Sequence, residues 1–333
     1  MGASLNSIGV IHWHKGEYDK TLEYFDRSLK IFEEIGDKRG MGVTLGNIGS
    51  VYKNKGDNDQ ALEYYDRSLA IDEEIGDKRG MGSSLNNMGI VHMNKGEYEK
   101  ALDYYNRSLA ISEELGDKRG IGDTLNNIGL VNYNKGEYDK ALDYYARLLK
   151  IAEELGDNAG MGNSLNNIGS VHKDKGEYDK VLEYYTKSLA IREEIGDKAG
   201  MGITLGGMGI VHSIKGEYDK AAEYLEKSLS IQKEIGYKAI ELITTTYLYL
   251  SCTHLGKDYD EKDIHSLIKE AENIEFEANF RLYQLLDDTS YLETTYKQVQ
   301  DKASEMEEET GKTFLGYPIP KAIVEEYNKI FKK

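Results

Sequence analysis

Cysteine is almost missing. Cys252 is the single one in 333 residues, which excludes an intrachain disulfide framework and a zinc site built from cysteines. Long apolar runs are missing too: the longest last only a few residues, against the ~20 that a bilayer-spanning helix needs, so a transmembrane helix is excluded. No charged-then-apolar leader opens the chain, and the expected compartment is the cytoplasm. Positive charge is in deficit, with 42 Lys and Arg against 59 Asp and Glu, a formal net charge of −17. That balance argues against nucleic acid or an anionic membrane as partner and favours neutral or basic peptides and proteins. Two Pro against 35 Gly, and six Phe and one Trp against 26 Tyr, form the kind of skew that repetition produces.

Written in rows of forty, the sequence aligns with itself without a gap. Gly36-Asp37-Lys38-Arg39-Gly40-Met41-Gly42 recurs at Gly76 to Gly82 and, slightly changed, from Gly116, Gly156 and Gly196. Six copies run over residues 1–236, a degenerate seventh over 237–275, and residues 276–333 fall outside the period. Within one copy, Leu125, Ile128, Val131 and Asn132 follow helical spacing, as do Leu142, Tyr145, Leu148, Leu149 and Ile151, so each copy is two amphipathic helices. Gly136 supplies a left-handed stop between them. Gly156 does the same between copies, with Asp157 as N-cap of the next helix.

The string Leu125-Asn126-Asn127-Ile128-Gly129, followed by Ala141, Tyr145 and Leu149, resembles the tetratricopeptide repeat (TPR) signature, in which a small Gly and Ala let two helices approach and an aromatic fills the gap. The period of forty, with its Gly-Asp linker, resembles the subclass found in Pins/LGN-type polarity scaffolds and bacterial regulatory TPR proteins. One departure is the usual small residue of the second helix, which is Ser at Ser28, Ser68, Ser108, Ser188 and Ser228 but Leu148 in the fourth copy. The resemblance implies an all-α fold, a right-handed superhelical TPR solenoid of antiparallel helix pairs whose first helices line a concave groove. Residues 276–333, with helices expected near 276–286, 290–308 and 320–331, would form a helical C-terminal cap.

TPR geometry would place the following columns on the groove wall. Asn47, Asn87, Asn127 and Asn167 occupy one line, and Asn6, Asn86, Asn126 and Asn166 the next. Paired Asn in mid-helix cost helix propensity, so their regularity favours a role in the groove. An amide offers a donor and an acceptor in one plane, which suits the backbone of an extended peptide. First helices spaced ~10 Å apart match three extended residues at ~3.3 Å each, so one Asn per repeat would hold every third residue of the ligand. The alternative is that neighbouring Asn bond to each other and stiffen the wall. Variable positions between and beyond these lines, above all Met93, Leu130 and Tyr133, would seat a partner's apolar side chains.

Other columns carry no chemistry. His12, His92, His172 and His212 recur too far apart to share a metal, whose bonds are ~2.0 Å long, and a packing role is expected. The acidic pairs such as Glu73-Glu74 are a solvated edge, and Gly40-Met41-Gly42 lacks the strand and Lys-Ser/Thr of a phosphate loop. Gly2 is the repeat glycine, with Asn6 standing where a myristoylation signal needs Ser or Thr. No catalytic triad, no metal motif and no cofactor motif is found.

The expectation is a non-enzymatic module that binds an extended peptide or a partner helix. The second reading is a regulatory or oligomerisation region of a larger bacterial signalling protein, cyclase- or kinase-linked, forming a homodimer and having no free peptide ligand. It draws on two features: the chain opens in mid-pattern, as if an upstream region preceded Met1, and Asn279-Phe280-Arg281-Leu282-Tyr283 with Ile319-Pro320-Lys321 resembles the ends of TPR regions behind cyclase or kinase domains.

Overall fold

The computed structural model describes residues 1–238 and 240–332, and among these every regular element is a helix. The helices alternate with period forty. First helices are α1 (Gly2–His14), α3 (Lys38–Asn54), α5 (Lys78–Asn94), α7 (Lys118–Asn134), α9 (Asn158–Asp174) and α11 (Lys198–Ile214). Second helices are α2 (Tyr18–Ile35), α4 (Asn58–Ile75), α6 (Tyr98–Leu115), α8 (Tyr138–Leu155), α10 (Tyr178–Ile195) and α12 (Tyr218–Ile235). Beyond them lie α13 (Glu241–His254), α14 (Glu261–Glu270), α15 (Phe276–Leu286), α16 (Thr289–Ser304), α17 (Glu308–Gly316) and α18 (Pro318–Phe331). The fold is an all-α repeat solenoid, and it divides into two compact units, Met1–Val131 and Asn132–Lys333.

The punctuation expected from sequence forms as chemistry dictates. Gly76 ends α4 at φ 69°, a left-handed backbone that a β-carbon disfavours. The next residue, Asp77, accepts the Gly80 N–H at 3.0 Å and so satisfies an orphan donor at the start of α5. The same cap recurs at Asp37, Asp117, Asp157 and Asp197.

In unit 1 the core is built between successive helix pairs: Phe25, Leu29, Leu45, Ile48 and Val51 form one cluster, and Ala61, Tyr65, Leu69, Leu85, Met88 and Val91 the next. Gly89 permits a close approach, since a β-carbon there would come within 2.5 Å of the Tyr105 ring. The serine column has its own reason. Ser68 Oγ donates to the Gly42 carbonyl at 2.9 Å and Ser108 Oγ to Gly82 at 2.8 Å, each tying a second helix to the first helix of its own repeat. A bond of this kind contributes about 0.5–1.5 kcal/mol and leaves no buried hydroxyl unpaired. The histidine column packs as expected: His92 stacks on Tyr104 with ring centroids 5.1 Å apart while its Nδ1 meets Glu97 at 2.7 Å, and His12 repeats the pattern with Tyr24 and Glu17.

Unit 2 has clusters of the same kind, with Tyr145, Ile168 and Val171 in one, Tyr185, Met208 and Val211 in another, and Leu225 and Tyr247 in a third. Its C-terminal helices have their own core of Phe280, Leu292, Val299, Phe314 and Ile323. Two expectations need correction. The helix expected near 290–308 is α16, which already ends at Ser304, and a further helix, α17, follows where none was expected. The C-terminal helices also do more than cover an end. Tyr317 packs on Tyr138 of α8 with centroids 4.9 Å apart, and Glu277 of α15 reaches Lys173 of α9, because both sides offer buried partners that water would otherwise have to solvate.

Candidate functional site

The first-helix face of unit 1 carries most of the residues singled out from sequence. All the asparagines of the two columns are half-buried, neither core nor freely solvated. Neighbouring first helices use them against each other: Asn47 Nδ2 donates to Asn6 Oδ1 at 3.3 Å, and Asn127 Nδ2 to Asn86 Oδ1 at 3.0 Å. The pairing considered as the alternative to peptide binding therefore occurs at these two junctions. Each such pair spends one donor and one acceptor, so the Asn86 amide N–H group and the Asn127 amide oxygen keep their capacity for another partner. Asn87 faces the copy whose matching position is Gly46, and its side-chain amide makes no hydrogen bond among the described residues. Met93 and Leu130 belong to this unit and are half-buried, Met93 taking a long 3.9 Å contact from the Tyr105 hydroxyl. At the N-terminal end of the face, Ala3, Asn6, Val10, Arg39 and Val43 line a hollow of about 460 Å³.

Lys53 of α3 stands on the same face, half-buried, and burial pulls its ammonium below the usual lysine range. Beneath it, Ser50 Oγ and the Tyr65 hydroxyl meet at 3.0 Å.

In unit 2 the corresponding face is occupied. Lys173 Nζ donates to Glu277 Oε2 at 2.8 Å, the Tyr247 hydroxyl donates to Glu277 Oε1 at 2.7 Å, and Arg281 Nε donates to the Tyr247 oxygen at 2.9 Å. Tyr133 donates to Asp174 at 2.6 Å. Burial acts against every charge in this cluster. For Glu277 the Lys173 ammonium, the Tyr247 hydroxyl and Arg281 outweigh it and hold the carboxyl below its ordinary range, whereas for Asp174 burial prevails and raises it. Asn166 accepts from Thr204 Oγ1 at 3.2 Å and Asn167 is half-buried and engaged; Asn126, on the face of unit 1, is likewise half-buried and engaged. Tyr133 thus belongs to a network joined to the C-terminal helices. Tyr178, Tyr218, Tyr247, Arg281 and Glu326 line a cavity of about 770 Å³ between those helices and the repeats.

Sequence reasoning counted Lys173 only among the variable groove positions and did not find its partners Glu277 and Arg281. The signal available was a charged residue, Lys173, in a column otherwise holding Trp13, Met93, Tyr133 and Ser213, and shared only with Lys53. Among the described residues, no group of three or more His, Cys, Asp or Glu is placed to hold a metal ion, and no helix is long and apolar enough to cross a membrane.

The tetratricopeptide repeat family model matches residues 1–74, 80–154 and 160–234. No curated protein matches the sequence. Among solved structures, the Signal Transduction ATPase with Numerous Domains protein with a tetratricopeptide repeat sensor from Pyrococcus horikoshii aligns over 100% of this chain and 48% of its own, at TM-score 0.62 and 17% identity. Aspartyl phosphate phosphatase F from Bacillus subtilis aligns over 96% of this chain and 80% of its own, at 0.60 and 16%. BtubC from P. vanneervenii aligns over 66% and 92%, at 0.60 and 19%. Identities this low carry the fold alone.

Proposed function

The chain belongs to the tetratricopeptide repeat family, and from that premise we propose that it is a non-enzymatic interaction module whose first-helix face in unit 1 holds a peptide or a partner helix. The observation that supports this most is the state of the asparagines: the Asn86–Asn127 pair fixes two amides in place, and each retains a polar group for a ligand. A fixed amide loses little entropy on binding. Asn87 adds a third amide, Met93 and Leu130 supply apolar contact between them, and specificity is written in those variable positions.

The test starts from peptides selected on the intact chain from a random displayed library. Replacing Asn86, Asn87 and Asn127 together by Ala should cut affinity for the selected peptides about a hundredfold, at roughly 1 kcal/mol per amide, with the helical circular dichroism unchanged. Full affinity in that variant would remove the amides from the mechanism.

A second reading, a regulatory region within a larger assembly, draws support from the buried Lys173–Glu277–Tyr247–Arg281 cluster, which commits the C-terminal helices to the repeats of their own chain. In that reading the partner acts by displacing those helices, and protease sensitivity of α15–α18 on partner addition is the readout.

A further inference from the structure

Two of the six regular repeats carry a lysine at the same position of the first helix, and the two copies match in their surroundings. Ile48, Ser50, Val51 and Lys53 of the second repeat correspond, 120 residues on, to Ile168, Ser170, Val171 and Lys173 of the fifth. In both, the serine hydroxyl meets a tyrosine from the second helix, Ser50 to Tyr65 at 3.0 Å and Ser170 to Tyr185 at 3.1 Å. Wherever the lysine is replaced by another residue, the serine three positions earlier is replaced as well, by Val10, Ile90, Leu130 or Ile210. Lysine and serine therefore travel as one local design.

The two designs differ in what they hold. Lys173 is met by the carboxylate of Glu277, presented by helix α15 with the Phe276 ring beside it in sequence. The Lys53 ammonium has no ion pair or hydrogen bond among the described residues, although burial already disfavours its charge. A half-buried ammonium with no counter-charge gains strongly from a carboxylate, because the charge has been partly desolvated in advance.

We propose that Lys53 anchors a docking site on the first-helix face of unit 1 for a helix that presents a carboxylate, as α15 presents Glu277 to Lys173. The inference rests on the interaction-module reading and names its ligand class. On either side of Lys53 the same column carries Trp13 and Met93, both half-buried. A fitting helix therefore has apolar or aromatic side chains flanking the acidic one, and α15 itself, with Phe276, Glu277 and Phe280, is the pattern on hand.

The probe is a synthetic peptide of residues 273–288 added to the intact chain. Trp13, the single tryptophan, lies on the face in question, so its emission reports occupancy there. A saturable change is expected, weakened about tenfold by Lys53→Met in the protein and, independently of any folding effect, by a Glu277→Gln substitution in the peptide. Lys173→Met should leave the Trp13 response in place. Saturable binding indifferent to both the Lys53 and the peptide change would overturn the proposal, as would no response of Trp13 at all. The two readings fail separately: library peptides that need Asn86 and Asn127 but ignore Lys53→Met sink only the lysine site, whereas the absence of any peptide binding sinks both.

Discussion

Asp72 offers a test of how tightly the repeats close over their helix junctions. It lies at the end of α4, 5% exposed, at the position held by Phe32, Ser112 and Ala152 in other copies. Burial first, and the neighbouring Asp77 carboxylate second, push its pKa from 3.8 up to about 6, against the pull of the Ser68 hydroxyl. The folded chain therefore holds this proton more tightly than the unfolded chain does. The contribution is fully present below pH ~4, is lost as pH rises towards ~6, and is absent above it. The gap between 3.8 and about 6, at about 1.4 kcal/mol per pH unit, sets a ceiling of about 3 kcal/mol on the cost of ionised Asp72 at pH 7. Water at the carboxylate edge reduces that to about 1–2 kcal/mol. Asp72→Asn keeps the shape and removes the charge. Urea unfolding at pH 4, 5, 6 and 7 should show the variant close to the parent at pH 4 and about 1–2 kcal/mol more stable at pH 7. A stability difference that does not grow between pH 4 and 6, or a variant weaker than the parent at pH 7, would refute the burial argument.

Breaking the pair between α9 and α15 by Glu277→Ala should destabilise unit 2 by about 2–4 kcal/mol, because Lys173 keeps only its 3.7 Å pair with Asp174 and Arg281 stays buried without the Glu277 charge; limited proteolysis of the C-terminal helices checks it. Restoring neutrality with Lys173→Met alongside Glu277→Met should recover most of that loss. Gly89→Ala should cost about 1–3 kcal/mol by thermal unfolding, since the new methyl group meets the Tyr105 ring, whereas Ser108→Ala should cost only about 1 kcal/mol for its bond to Gly82.

The repeat was legible because forty-residue rows expose every column at once. Helix pairs, Gly stops, Asp caps and the stacked His–Tyr packing all repeat, and each follows from a local rule. The asparagine columns were legible as positions and their mutual bonding as one of two readings, but which Asn meets which was not, since Asn47–Asn6 and Asn127–Asn86 depend on the offset of one helix against its neighbour. The C-terminal clasp was not legible. Lys173 and Glu277 are 104 residues apart, and nothing periodic links them. Asp72 escaped notice for a related reason: read along the row it is one more acid near a helix end, and only packing shows it enclosed.

The serine bonds bear on how such a molecule grows and shrinks. Ser68 and Ser108 fasten each hairpin to itself, so cutting the chain at a linker leaves those two hydroxyls bonded within their own repeat. Among the bonds that cross a junction is one that recurs in the same form, Lys55 to Asp19 at 2.9 Å, Lys95 to Asp59 at 3.1 Å, Lys175 to Asp139 at 2.6 Å and Lys215 to Asp179 at 2.7 Å. Unequal crossing-over that inserts or deletes one module would rejoin ends whose Lys–Asp contact is already complementary, so the span of the product can vary while that contact is remade at the new joint.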